Sequence, residues 1–145
     1  MKPIILDNSV LVDIILQSEE KSGQAFEVYN CIKRMGSEIY LPYFALFEIK
    51  SAISNKKVNH GSVNIRKTIT KEDPLVCKYF AINEKFVTRH LSSNIGYLKA
   101  ADYVYVCLAK QENGILITED KKQYRVSEEA GIETYKLKEF ADKFS

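Results

Sequence analysis

Glycine is scarce in this chain, with six in 145 residues. They form neither a Gly-x-Gly-x-x-Gly turn nor a Gly-x-x-x-x-Gly-Lys loop, so the phosphate-cradling turns of nucleotide-cofactor folds have no support. Histidine is scarcer still: His60 and His90 stand in different segments without ligand spacing, which points to surface or packing roles. The three cysteines, Cys31, Cys77 and Cys107, are odd in number, far apart and set in apolar segments. They read as buried, reduced thiols rather than a disulfide framework or a thiolate zinc site. No apolar run approaches the roughly 20 residues that span a bilayer. The opening, Met1-Lys2-Pro3-Ile4-Ile5-Leu6, has one basic residue and too short an apolar stretch for a secretion signal. The expectation is a cytoplasmic protein with no membrane partner. Linkers, low-complexity runs and repeats are also missing, so residues 1–145 read as one domain, long enough to bury roughly 70% of its unfolded surface.

What is present is an alternation of short apolar runs and longer helical patterns. Pro3 to Leu6 reads as a buried strand ending at Asp7, with Asn8 and Ser9 capping a helix from about Val10. A second helix is predicted over Glu20–Met35, stopped by Gly36. Glu38–Leu41 is a strand, and Pro42 suits the first turn of a helix running through Phe44, Phe47, Glu48, Ala52 and Ile53. Residues 54–73 are polar and basic, with room for a short helix around Ile65 and Ile69. Tyr79–Ile82 is a third strand, followed by a helix capped by Asn83 and carrying Phe86, Val87 and Leu91. Lys99–Lys110 is a helix, Gly114 its stop, and Ile115–Thr118 a strand. A helix near Lys122–Ala130 ends at Gly131, Ile132–Tyr135 makes a last strand, and Leu137–Phe144 a last helix. Strands separated by helices predict an α/β three-layer sandwich: a mostly parallel central sheet of about five strands, with helices on both faces.

In such sheets, ligands gather at the carboxyl ends of the strands. Two acids follow apolar strands directly, Asp7 after Leu6 and Asp120 after Thr118-Glu119. Two more interrupt apolar helical stretches near helix starts, Glu48 and Asp102. A carboxylate among apolar neighbours is rarely buried without a partner. If the four converge, each pair at about 5 Å repels by about 3 kcal/mol at an effective dielectric of about 20. The group must then raise its pKa values or take up a hard divalent cation. Four carboxylates without His or Cys favour Mg²⁺ or Mn²⁺ over Zn²⁺. Taken singly, each acid has an ordinary reading as a capping, turn or solvent-facing residue. Their joint placement makes them a candidate site.

The same residues carry a family likeness. Asp7-Asn8-Ser9-Val10-Leu11-Val12-Asp13 resembles the Asp-x-Ser-Val-Leu-Ile-Asp opening of PIN-domain nucleases. Ala45-Leu46-Phe47-Glu48-Ile49 resembles their second motif, Ala100-Ala101-Asp102-Tyr103-Val104 their third, and Ile115-Leu116-Ile117-Thr118-Glu119-Asp120 their fourth. The motifs occur in family order across nearly the whole chain, and by size the VapC-like toxin ribonucleases are the nearest subgroup. The resemblance implies a PIN domain over 1–145 that hydrolyses phosphodiesters in RNA with Mg²⁺ or Mn²⁺. It also implies that Asp7, Glu48, Asp102 and Asp120 hold the metal, that Ser9 orients Asp7 or a metal-bound water, and that Thr118 buttresses the fourth acid. A homodimer and a cognate antitoxin, often one placing an arginine near the acids, are the partners it implies. This chain departs from the pattern at Tyr103, where a small residue is common, and at Asn8, where threonine is frequent. Glu119 competes with Asp120 as fourth ligand, with the Thr-x-Asp spacing favouring Asp120. Asp13 is expected on the helix surface.

Two other classes stay open. A catalytically inert PIN-like RNA-binding or partner-docking module would share the fold, though it need not keep all four acids. A receiver or phosphatase-type domain would also place an acid after the first strand, but phosphatases of that kind want Asp-x-Asp where this chain has Asp7-Asn8-Ser9. The net charge of +2 does not specify nucleic acid. The basic residues do cluster, however. Lys50, Lys56, Lys57, His60, Arg66, Lys67 and Lys71 crowd the middle, and Lys121, Lys122 and Arg125 follow Asp120. Beside an acidic pocket, Lys50, Lys121 and Lys122 are candidates to hold a phosphate backbone. Tyr40, Tyr43, Tyr103 and Tyr105 are suited either to stacking on bases or, at their helical and strand spacing, to core and interface packing.

Overall fold

Ile4, Ile5 and Leu6 expose no surface at all, because they form the central strand of a five-stranded sheet covered on both faces. The computed structural model describes residues 1–16, 22–55 and 77–145. Its strands are β1 (Ile4–Leu6), β2 (Ile39–Pro42), β3 (Cys77–Phe80), β4 (Ile115–Ile117) and β5 (Thr134–Tyr135). They lie in the order β3-β2-β1-β4-β5, and every neighbouring pair is parallel. Ile4 stands opposite Ile39 on one side and Ile115 on the other. Strands buried on both faces are continuously apolar instead of alternating, which is why Ile4-Ile5-Leu6 and Ile115-Leu116-Ile117 read as they do.

Parallel pairing requires crossovers, and seven helices occur among the described residues: α1 (Asn8–Leu16), α2 (Ser22–Met35), α3 (Ala45–Asn55), α4 (Glu84–His90), α5 (Ala100–Gln111), α6 (Lys121–Glu129) and α7 (Leu137–Phe144). α1 packs on α2 and α3, and α2 on α7, while α5 lies over β1, β2 and β4 and carries α6. The result is the three-layer α/β sandwich that the alternation of strands and helices predicted. The buried faces of α5 (Tyr105, Val106, Cys107, Leu108, Ala109), of α2 (Ala25, Val28, Cys31, Ile32) and of α7 (Leu137, Phe140, Ala141) join the sheet in one apolar core. Cys31 and Cys107 are free and buried there, as expected for reduced thiols. Among the described residues, no helix is long and apolar enough to cross a membrane.

The sheet order reverses direction at β1. The chain builds β2 and β3 to one side of it, then crosses back to lay β4 and β5 on the other. At such a switch point the connections leave the carboxyl ends of two neighbouring strands in opposite directions and open a crevice. Here the crevice lies beyond Leu6 and Ile117.

Several local expectations need correction. Asn8 and Ser9 are in the first turn of α1, since the Asp7 carbonyl already accepts from Leu11 N–H at 3.0 Å. Pro42 closes β2, opposite Phe80, so α3 begins three residues later than Pro42 suggested. Asn83 does cap α4, accepting from Phe86 N–H at 3.0 Å. Gly36 ends α2 at φ +66°, a conformation a Cβ would strain. The left-handed residue after α5 is Asn113, at φ 49°, and not Gly114. Asparagine tolerates that conformation because its short amide can bond locally. Gly114 is needed for proximity: a Cβ there would lie 2.4 Å from Ile5 Cδ1 and 2.9 Å from the Pro3 carbonyl oxygen. The basic stretch beyond Asn55, including Lys56, Lys57, His60, Arg66, Lys67 and Lys71, lies outside the described residues.

The Gly114 contact makes a prediction about the β1–β4 seam. Gly114→Ala must push either Ile5 or the Pro3 backbone, so it should destabilise the fold by about 1–3 kcal/mol, as overpacking does. Urea unfolding reads this directly, and a midpoint equal to the parent's would show that the seam yields without strain.

Candidate active site

Asp7 is the last residue before α1, and its backbone still belongs to the sheet, with its N–H donating to the Ile117 carbonyl at 3.0 Å. Its carboxylate is therefore fixed between the ends of β1 and β4, only 5% exposed. Three donors hold it. Asn8 N–H reaches Oδ1 at 2.8 Å, and the Ser9 and Thr118 hydroxyls reach Oδ2 at 3.0 and 3.2 Å. Thr118 is fully buried just past β4, and its oxygen also accepts from Asp120 N–H at 3.1 Å. One hydroxyl thus links the first acid to the loop that carries the fourth.

Asp120 is the N-cap of α6, where Oδ1 accepts from Gln123 N–H at 2.8 Å. Gln123 is buried completely, and its amide nitrogen donates to the Asp102 carbonyl at 3.1 Å. That bond ties the start of α6 to the first turn of α5, where Asp102 sits. Glu48, in the first turn of α3, accepts from the Tyr105 hydroxyl at 2.7 Å. Tyr105 exposes no surface and lies one turn beyond Asp102 on α5.

The electrostatics connect the four acids. Burial is the main reason that the Asp7 carboxyl is held above its usual range, with Asp102 adding repulsion and the Ser9, Asn8 and Thr118 bonds opposing it. Glu48 is raised by burial first and then by Asp7 and Asp102, against the Tyr105 bond. Asp102 is raised by burial and by Asp120, with Lys99 partly compensating. Tyr105 is driven well above the ordinary tyrosine value by burial and by Glu48, so its hydroxyl stays a donor at any physiological pH. The four carboxylates are close enough to repel one another. Even so, no three His, Cys, Asp or Glu side chains among the described residues close into a ready coordination set. Asp7, Glu48 and Asp120 are each held by neutral donors of their own. A carboxylate offers about four lone-pair positions, so each keeps acceptor capacity. The donors are all oxygen, which is the chemistry a hard divalent cation requires.

The chain matches the family model described as "PIN domain" over residues 4–129. It belongs to the PIN domain family. Among solved structures it is similar to "a domain of a functionally unknown protein from Methanocaldococcus jannaschii DSM 2661", at 18% identity and a TM-score of 0.44, covering 93% of this chain and 90% of that one. No curated protein sequence matches. PIN domains are generally metal-dependent nucleases, typically using Mg²⁺ or Mn²⁺ on RNA or DNA, and the four acids stand where this PIN domain's sheet opens.

Other expected residues fall in different places. Ser9 and Thr118 both contact Asp7 directly. Glu119 Oε1 accepts from Leu137 N–H at 3.1 Å at the start of α7, whereas Asp120 Oδ1 accepts from Gln123 N–H in α6. Asp13 is buried, only 8% exposed, and not on the helix surface, because α1 is covered by both α2 and α3. Lys50, Lys121 and Lys122 are exposed, the last two in the first turn of α6 beside Asp120. His90 is buried and shares a 3.0 Å hydrogen bond with Gln111. Tyr40 packs against Phe80, Tyr43 stacks on Tyr79, and Tyr103 lines an apolar cavity of about 200 Å³ with Phe86 and Cys107. Sequence reasoning missed Gln123, and it gave Tyr105 no role toward Glu48. Tyr105 is three residues after Asp102 and so on the same helix face, a signal that pointed to it without naming its partner.

The raised pKa values of Asp7, Glu48 and Asp102 have a definite consequence for stability. Each group takes up a proton more readily folded than unfolded. What the three contribute is therefore fully present below their ordinary values, 3.8 for aspartate and 4.5 for glutamate. It is lost as pH rises through the raised values. In EDTA at neutral pH, Asp7→Asn and Asp102→Asn should melt at the parent's temperature or above it. The difference should close on acidification as the parent's own carboxyls become neutral. A clear drop in melting temperature for both variants at neutral pH would contradict a mutually repelling cluster.

Proposed function

We propose that this PIN domain is a Mg²⁺- or Mn²⁺-dependent endoribonuclease, the toxin of a VapBC-type pair, folded as one domain over residues 1–145. The observation that carries the reading is the gathering of four carboxylates from four separate elements at the sheet's switch point, where three are raised by burial and mutual repulsion. Asp7, Glu48, Asp102 and Asp120 are the proposed metal-holding and catalytic acids. These acids would hold a hard divalent cation, which would supply Lewis-acid chemistry to the phosphodiester.

The chain's own residues do the rest. Ser9 and Thr118 both donate to Asp7 Oδ2 and Asn8 N–H donates to Oδ1, which holds the carboxylate in place and leaves a lone-pair position on Oδ1 open. The Tyr105 hydroxyl fixes one oxygen of Glu48 and leaves the other available. Gln123 keeps Asp102 and Asp120 at a set separation by bonding to both of their chain segments. Lys50, Lys121 and Lys122 are proposed to take the phosphates flanking the scissile bond, steering RNA into a crevice whose acids would otherwise repel it. A homodimer, an antitoxin supplying an arginine to the acids, and a cytoplasmic location complete the reading; these rest on the likeness to VapC proteins.

One observation favours a second reading, the inert RNA-binding or docking module: no three acids among the described residues are preassembled for a metal. Metal titration separates the two, since a module binds RNA without measurable Mg²⁺ or Mn²⁺ affinity.

Cleavage of structured and single-stranded RNA in Mn²⁺, Mg²⁺ and EDTA is the central test. Asp7→Asn and Asp102→Asn, prepared identically to the parent, should each lose at least roughly tenfold in rate, in the range that removal of a charge-stabilising group produces. Activity equal to the parent in either variant would remove that acid from the mechanism. RNA binding should also weaken steeply with salt as counterions are released; a flat response would take the lysines out of the phosphate path.

A further inference from the structure

Tyr97 is 77% exposed, yet its neighbours are anchored. Leu98 is buried, and Gly96 lies close enough to Val126 of α6 that a Cβ there would meet it at 3.5 Å. The exposed ring is thus mounted on a fixed segment. Lys122 Nζ stands over the ring, 4.2 Å from its centroid. An exposed tyrosine alone would mean nothing, since single apolar groups are common on surfaces. This one has a cation on one face, an open opposite face, and a defined place. Lys122 lies in the first turn of α6, whose N-cap is Asp120, and Tyr97 is held under it, so the pair stands beside the end of α6 that carries Asp120.

We propose that Tyr97 and Lys122 form a subsite for one unpaired nucleobase and its phosphate, next to the scissile position. This rests on the nuclease reading above. The free face of Tyr97 stacks the base, and the lysine polarises the ring while its ammonium hydrogens remain available to a phosphate oxygen. A base within a duplex cannot offer its face to a side chain, so the subsite selects single-stranded segments, loops or bulges. Phe47, 76% exposed, lines an open cleft with Asn8 and Glu48.

The test is binding in EDTA, where cleavage is blocked. It uses a fluorescent single-stranded oligoribonucleotide carrying 2-aminopurine and a blunt duplex of the same sequence. Tyr97→Ala should weaken single-strand binding roughly tenfold, the effect of losing one base stack. Duplex binding should be unchanged and the 2-aminopurine quench lost, while Tyr97→Phe should behave as the parent. Lys122→Gln should lower the salt slope by about one, as loss of a phosphate contact does. If Tyr97→Ala lowers the melting temperature, Tyr97→Leu replaces it, keeping apolar bulk without a π face. Equal losses on single strand and duplex, an unaffected Tyr97→Ala, or a parent that binds no RNA overturns the subsite. Parallel cleavage in Mn²⁺ separates the two claims. A parent that cleaves with Tyr97 irrelevant sinks the subsite alone. Tyr97-dependent binding without cleavage sinks the nuclease reading and leaves the subsite standing.

Discussion

The carboxylate of Asp7 is the constraint around which the rest of the molecule is arranged. It sits at the end of a strand whose side chains are wholly buried, and its own backbone is bonded into the sheet, so it has no freedom to retreat to water. Burial disfavours its charge, and so does Asp102. Three hydrogen bonds, from Asn8, Ser9 and Thr118, work against that penalty without supplying a counter-charge. The pull between desolvation and these bonds leaves the carboxylate fixed in direction, with no cation among the described residues that lowers its pKa. That is the physical condition in which a divalent cation, or a proton, is bound most gainfully.

The neighbours repeat the pattern with different donors. Glu48 leans on a buried phenol, Asp120 on the free N–H groups of the helix it caps, and Asp102 has partial relief from Lys99. Among the described residues, the ties between the acids run through neutral groups: Thr118 joins Asp7 to the Asp120 loop, Gln123 joins Asp120 to Asp102, and Tyr105 joins the Asp102 helix to Glu48. Neutral ties hold geometry without cancelling charge. A lysine or arginine at any of these points would stabilise the folded protein and neutralise the centre it surrounds.

The exposed aromatics and lysines at the rim complement this interior. Acidic crevices repel polyanions, and the exposed lysines carry the opposite sign. Lys121 and Lys122 share the first turn of α6 with the Asp120 cap, so the attractive and repulsive groups are separated by residues rather than by domains. Lys122, in that same turn, stands over the Tyr97 ring.

Much of this could be read along the chain. The double-sided burial of a parallel strand forces continuous apolar runs, which made Ile4–Leu6 and Ile115–Ile117 visible and fixed Asp7 and Asp120 at their ends. The Asn83 cap and the Leu137–Phe144 helix were legible because caps and helical periodicity are local. The sequence by itself therefore determined the fold class, the family and which acids to consider. Tertiary structure alone decided the rest, because contacts between distant segments leave no local trace. The Thr118–Asp7 bond spans 111 positions and the Tyr105–Glu48 bond 57. Glu119 was separated from Asp120 only by the docking of α7, and Asp13 was moved from surface to interior only by the packing of α2 and α3 over α1. Gly114 read as a helix stop, and its real task, letting Ile5 and Pro3 approach, appeared only once β4 lay against β1.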